Sequence, residues 1–213
     1  MKQAVGLAVV AALGLVSLAS ASSLLVSSGR LTADEVGTCT AAAAADAYVD
    51  QSVLSAGSSF GTQPTLSVRS QAVANRRAFA RFDLSPCSIP TSATVTVAEL
   101  RLVVTSAPGS SRTHAAHRIT AAWTETTTWN SQPAVAATAS ASAATGTAGA
   151  TVEWTSAALL ADVRGWVDGT LANNGWRISD TAESALVGVT AAYAAREHTT
   201  AGSRPVLFVT YEL

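Results

Sequence analysis

The chain has 213 residues, 48% of them apolar and only 13% charged, with a formal net charge of −1. It has apolar mass for one domain and lacks the basic surface that a nucleic-acid partner requires. Much of the apolar fraction is alanine and only 6% of residues are aromatic, while Ser, Thr, Gly and Val abound. That mix suits strands and turns better than a helical bundle.

The first segment reads as an export signal. Lys2 supplies a small positive region, Ala4 to Leu18 is apolar, and Ala19-Ser20-Ala21 fits the small-residue rule for cleavage. The competing reading is an uncleaved anchor, because the weakly polar run continues through Leu24, Leu25 and Val26. Either way the body is expected outside the cytoplasm. Residues 22–44 are expected as a linker, ending in the small-residue stretch Thr38 to Ala45, with the domain spanning 45–213. In an exported chain, the two cysteines, Cys39 and Cys87, are expected to form the single intramolecular disulfide open to them.

Strand signals then follow one another. Asp46 to Asp50 and Thr65 to Arg69 alternate polar and apolar around a Ser/Gly-rich loop, Ser55 to Pro64. Arg76 to Leu84 alternates too. Period two puts Ala78, Ala80, Phe82 and Leu84 on one face and Arg77, Phe79, Arg81 and Asp83 on the other. After a turn at Ser85 to Ser92, Thr94 to Thr105 is the clearest strand, with Arg101 opposite its apolar face. Thr113 to Thr120, Thr138 to Ala144 and Val152 to Trp154 are weaker. Ser156 to Asp168 reads as a helix, capped by Thr155 or Ser156 and ended by Gly169. Strands resume at Trp176 to Ser179, Ala191 to Arg196 and Val206 to Tyr211. About ten short strands and one helix at 156–168 predict an all-β fold, a two-sheet antiparallel sandwich of jelly-roll type.

An ordered set of motifs accompanies this pattern. It runs from Asp46-Ala47-Tyr48-Val49-Asp50 and Gly61 through Asn75-Arg76-Arg77 into Arg81-Phe82-Asp83-Leu84, then Ala98-Glu99-Leu100-Arg101-Leu102. Trp123-Thr124-Glu125, Thr128-Trp129-Asn130, Asn173-Asn174-Gly175-Trp176, Arg196-Glu197 and Pro205 to Tyr211 follow. The set resembles the DNRLRE domain, an extracellular bacterial and archaeal family related to disaggregatase-associated domains. It also resembles a carbohydrate-binding module family that includes alginate binders. The resemblance implies a β-sandwich with a surface or polysaccharide-associated role, and it leaves the ligand open.

The residues themselves argue against catalysis. Glu125, Glu153, Asp162, Asp180, Glu183 and Glu197 form no recognisable acid/base pair for glycoside cleavage. Tyr193, Arg196 and His198 are close in sequence, but on a strand Tyr193 and Arg196 face opposite sides. His114 and His117 also diverge on a strand, so no metal site is assigned. No cofactor is indicated. A structural calcium would draw on Asp46, Asp50 or Asp180.

Binding candidates are of two kinds. Trp123 and Trp129 bracket a Thr-rich loop and are candidate stacking platforms, against the plainer reading that they plug the core. Arg77, Arg81 and Arg101 are candidate anion forks, against a salt-bridge ladder across one sheet. The expected function is a secreted or surface-displayed, non-catalytic, carbohydrate-binding-like module, with an acidic polysaccharide or cell-surface glycan as partner. A membrane enters only through an uncleaved leader. The alternative is a structural or adhesive surface protein that binds no sugar.

Overall fold

The computed structural model describes residues 35–213. The leader expected at 1–21 lies outside them, as does most of the linker expected at 22–44. Where that linker enters the described residues, it is strand. β1 (Val36–Asp50) continues unbroken through Thr38 to Ala45. The small side chains hid it, because alanine carries little β-propensity of its own. Pairing imposes the strand instead, with β10 along Val36 to Ala42 and with β3 along Ala43 to Asp50.

The remaining strands are β2 (Thr65–Ser70), β3 (Arg76–Phe82), β4 (Thr94–Ser106), β5 (Thr113–Arg118), β6 (Ala141–Ala144), β7 (Thr151–Trp154), β8 (Trp176–Asp180), β9 (Val189–Ala194) and β10 (Val206–Glu212). All named pairs are antiparallel. The ladder runs β1-β10-β4-β9-β2-β3 and closes on itself through the β1–β3 pairing. β8, β5 and β6 extend from β3, and β7 flanks β4.

This differs from two separate sheets of short strands. β1 and β4 are 15 and 13 residues long, and each passes from one layer into the other. Register shifts mark the bends, at Ala43/Ala45 in β1 and at Val104/Ser106 where β4 meets β9. Such irregularities bend a strand and increase its twist. The result is a sandwich-like sheet closed into a ring of six strands.

The single α-helix, α1 (Ala157–Val167), is capped by Ser156, whose side chain accepts the Leu159 N–H at 2.9 Å. Gly169 follows it at φ 78°, a conformation glycine adopts without strain. Helical spacing turns Leu159, Val163 and Trp166 into the main core. Trp166 packs on Trp176 of β8 with ring centroids 4.4 Å apart. The interior also holds Leu66, Phe82, Leu100, Leu102, Trp154 and Leu207. The Cys39–Cys87 disulfide forms, its Cα atoms 5.7 Å apart, and fastens β1 to the 3-10 turn Ser85–Cys87.

Candidate functional site

β1, β3, β8 and β5 lie side by side, and their outer face is not simply solvated. Alternation that sends Ala78 and Ala80 into the main core sends Arg77, Phe79 and Arg81 outward. Phe79 is nonetheless fully buried. It forms a second, smaller core with Ala45, Ala47, Val49, Ile119 and Trp123, with Trp129 and Val135 against it. The segment from Ile119 to Val135 packs on this small core and covers that part of the face, leaving Arg77, Trp129 and Arg177 half-exposed around it. Of the two readings open for Trp123, a stacking platform or a core plug, burial fits the plug. Trp123 packs on Phe79 and donates its indole N–H to the Asn174 carbonyl at 2.8 Å. Beside it lies a shallow pocket of about 320 Å³ lined by Ala122, Trp123, Thr124, Thr126, Thr127 and Ser131.

Trp129 sits at the rim of the small core and is half-buried. The Arg77 guanidinium lies over its ring, 4.4 Å from the centroid. Arg77 is held from the other side too. Its Nε and Nη2 donate to the two carboxylate oxygens of Glu183, each at 2.7 Å, and its Nη1 donates to Gln132 Oε1 at 2.8 Å. Asp83, placed by alternation on the same face as Arg77 and Arg81, accepts the Ser85 N–H at 2.9 Å and shapes the turn. Arg81 is half-buried, with its guanidinium 5.9 Å from the Trp123 ring centroid.

A further arginine belongs to this face. Arg177 of β8 pairs with Phe79 of β3 and with His117 of β5, so it stands diagonal to Arg77. Its Nε is buried without a hydrogen-bond partner. Burial first, and then the charge of Arg77, push its pKa down to about 10, against the pull of Glu183. Arg77 takes both oxygens of Glu183, which acts on Arg177 only through its charge. The sequence signal was present, since Arg177 alternates between Trp176 and Ile178. Glu183 and Gln132 lie in loops and gave none.

The model of carbohydrate-binding module family 96 matches residues 37–211. The chain belongs to that family. No curated protein matches it. The family-96 match spans the closed sheet, the helix and the covering segment together.

Not every expected residue of this family-96 module joins the face. Arg101 stands apart, on β4 between β10 and β7, with its guanidinium 4.9 Å from the Phe208 ring centroid. It is matched by Glu99 and, at 3.1 Å, by Glu153. A salt-bridge ladder therefore accounts for the charge of Arg101, which stands apart from Arg77 and Arg177.

Among the calcium candidates, Asp50 accepts Arg69, Arg76 and Ser52, and Asp180 accepts Arg112 on both oxygens. Asp46 does approach other carboxylates. Ligand oxygens of Asp46, Glu125 and Glu197 lie within 4.8 Å of one another. The Arg196 guanidinium sits among them, on Glu125 at 2.7 and 3.0 Å and on Glu197 at 2.8 Å. These three carboxylates are the donors a cation would meet, and an arginine already supplies positive charge there. The cluster fastens the covering segment, through Glu125, to β1 and to the end of β9. As for acid/base groups, Tyr193 is wholly buried, and burial pushes its phenol above the ordinary range.

Proposed function

We propose that this module is exported and binds an anionic polysaccharide on the outer face of β3 and β8 without turning it over. The observation that carries the reading is that Arg77 and Arg177 stand diagonally on one face while the carboxylate there, Glu183, is bonded to Arg77. The second guanidinium, half-buried and partly dehydrated, favours an incoming anion, because charge-assisted hydrogen bonds strengthen where water is thin. Trp129 adds an aromatic edge, and Gln132 and His117 border the same strip. Membership of a carbohydrate-binding family supports a sugar as the carrier of that anion.

The adhesive alternative, self-packing of sheets, has less to work with. The terminal strands β6 and β7 are four residues each, and the six-strand ring offers no long open edge. Affinity electrophoresis in gels containing alginate or a neutral glucan tests the proposal. Retardation is expected in alginate, weaker at high salt. No retardation in either gel would remove the sugar-binding reading.

A further inference from the structure

We propose that the pole of the fold formed by residues 51–57, 71–75 and 184–188 docks on a lipid bilayer, seating five aliphatic side chains at its acyl boundary. This surface is separate from the arginine face and does not rest on it. Val53, Leu54, Val73, Leu186 and Val187 are 91%, 95%, 77%, 96% and 77% exposed. They are five of the eight large hydrophobic side chains exposed among the described residues, and all five lie in these three loops.

The loops are locked together. Asn75 is buried and joins all three: it donates through its backbone N–H and Nδ2 to Gln51 Oε1, at 3.1 and 2.7 Å. Its Nδ2 also donates to Ser184 Oγ at 3.1 Å. Its Oδ1 accepts the N–H groups of Gln71 and Ser184, at 3.1 and 2.8 Å. The Ala72 N–H donates to the Ala185 carbonyl at 2.9 Å. The apolar tips are thus presented by a fixed frame.

Val73 argues that the apolar character is wanted. It has φ 53°, a conformation that glycine or asparagine adopts readily and that is an outlier for a β-branched residue. A valine there keeps an aliphatic group at the tip in spite of backbone strain.

Charge and size select the occupant. The three segments contain no Asp, Glu, Lys, Arg or His, so inserting them in an acyl layer strips water from no ion. They contain no aromatic ring on which a sugar would stack. A stable protein partner covers about 20–30 residues on each side, and these three segments hold seventeen. Shallow insertion of a few aliphatic groups into the headgroup–acyl boundary needs no more than that. Val36 and Glu212, which pair with each other, lie at the other end of β1 from Asp50, next to which the first of these loops begins.

Flotation of the full chain with phosphatidylcholine vesicles tests this. Partitioning is expected, about equal at low and high salt and unchanged by added phosphatidylglycerol. Leu54→Ser with Leu186→Ser, at almost fully exposed positions, is expected to lower it at least tenfold without changing the circular dichroism. Absence of partitioning overturns the proposal. So does partitioning that survives the double substitution, as an apolar leader would produce. A concentration-dependent dimer that the same substitutions abolish would assign the pole to a second copy instead.

Discussion

The backbone N–H of Arg196 donates to Oδ2 of Asp46 at 2.7 Å, joining residues 150 positions apart. That bond does not offset the burial of Asp46, and Glu125 and Glu197 add negative charge beside it. Its pKa is therefore pushed up to about 7, burial being the larger cause. His114 is shifted the opposite way, down to about 4, by burial against Tyr193.

The two shifts oppose each other in the stability profile. A raised carboxyl favours the folded state below its unfolded pKa, and that contribution is lost as pH rises through 7. A depressed imidazole contributes above its unfolded pKa near 6.5, and that contribution is lost as pH falls through 4. Between pH 4 and 7 the wild type is expected to be nearly flat. Asp46→Asn should leave stability rising with pH across this window, and His114→Gln should leave it falling, each by on the order of 3 kcal/mol. Chemical denaturation at pH 4.5, 5.5 and 6.5 reads this out. Parallel profiles for all three proteins would refute it.

The disulfide should contribute through the unfolded chain. Cys39 and Cys87 are separated by 48 residues, and constraining a loop of that size stabilises by about 4 kcal/mol in the chain-entropy model. Cys39→Ser with Cys87→Ser should lower the unfolding free energy by about that amount without altering the strand content seen by circular dichroism. A loss below about 1 kcal/mol would show that the bond adds little.

The elements were legible where side chains alternate strongly. β3 and β4 follow their expected faces, and the helix begins at the expected cap, Ser156. β1 was legible only from Asp46 onward, because its first half is Gly, Thr and Ala and becomes strand through its neighbours. The outer face was only partly legible for a related reason. Period two placed Phe79 beside Arg77 correctly, but it cannot show that a segment forty residues later packs over Phe79. Trp123 and Trp129 had the same sequence signature and received different roles, one as a plug and the other as a half-covered rim. Pairing partners set by loops, such as Glu183 for Arg77, have no periodic signal at all.

Asp162 is the hub of a buried network. Its Oδ2 accepts the indole N–H of Trp176 at 2.9 Å and the Ser140 hydroxyl at 2.5 Å, and its Oδ1 meets Arg118 at 3.0 Å. Asp162→Ala leaves a buried indole N–H without an acceptor, which costs about 1–3 kcal/mol for that group alone. The midpoint of thermal unfolding should fall, and the Trp176 emission should shift as its hydrogen bond is lost. Asp162→Asn, which keeps an acceptor, should recover part of the loss. Equal effects from the two substitutions would contradict the assignment.

The position of the arginines makes the proposed binding face separable from the rest of the surface. Arg77 and Arg177 stand on the outer face of β3 and β8, whereas Arg101 lies on β4 beside Phe208, matched by Glu99 and Glu153. Arg77→Ala with Arg177→Ala should abolish retardation in an alginate gel. Trp129→Ala should weaken it, because the ring that holds the Arg77 guanidinium level is removed. Arg101→Ala should leave it unchanged, since its charge is already met by two carboxylates. The double substitution also removes two charges, so Arg101→Ala with Arg204→Ala, at two residues that line one hollow beside β4, β7 and β10, serves as a charge-matched control. If that control loses retardation as fully as the first pair, the attraction belongs to net charge and not to the β3–β8 face. If Arg101→Ala alone abolishes it, the site lies on the other side of the fold.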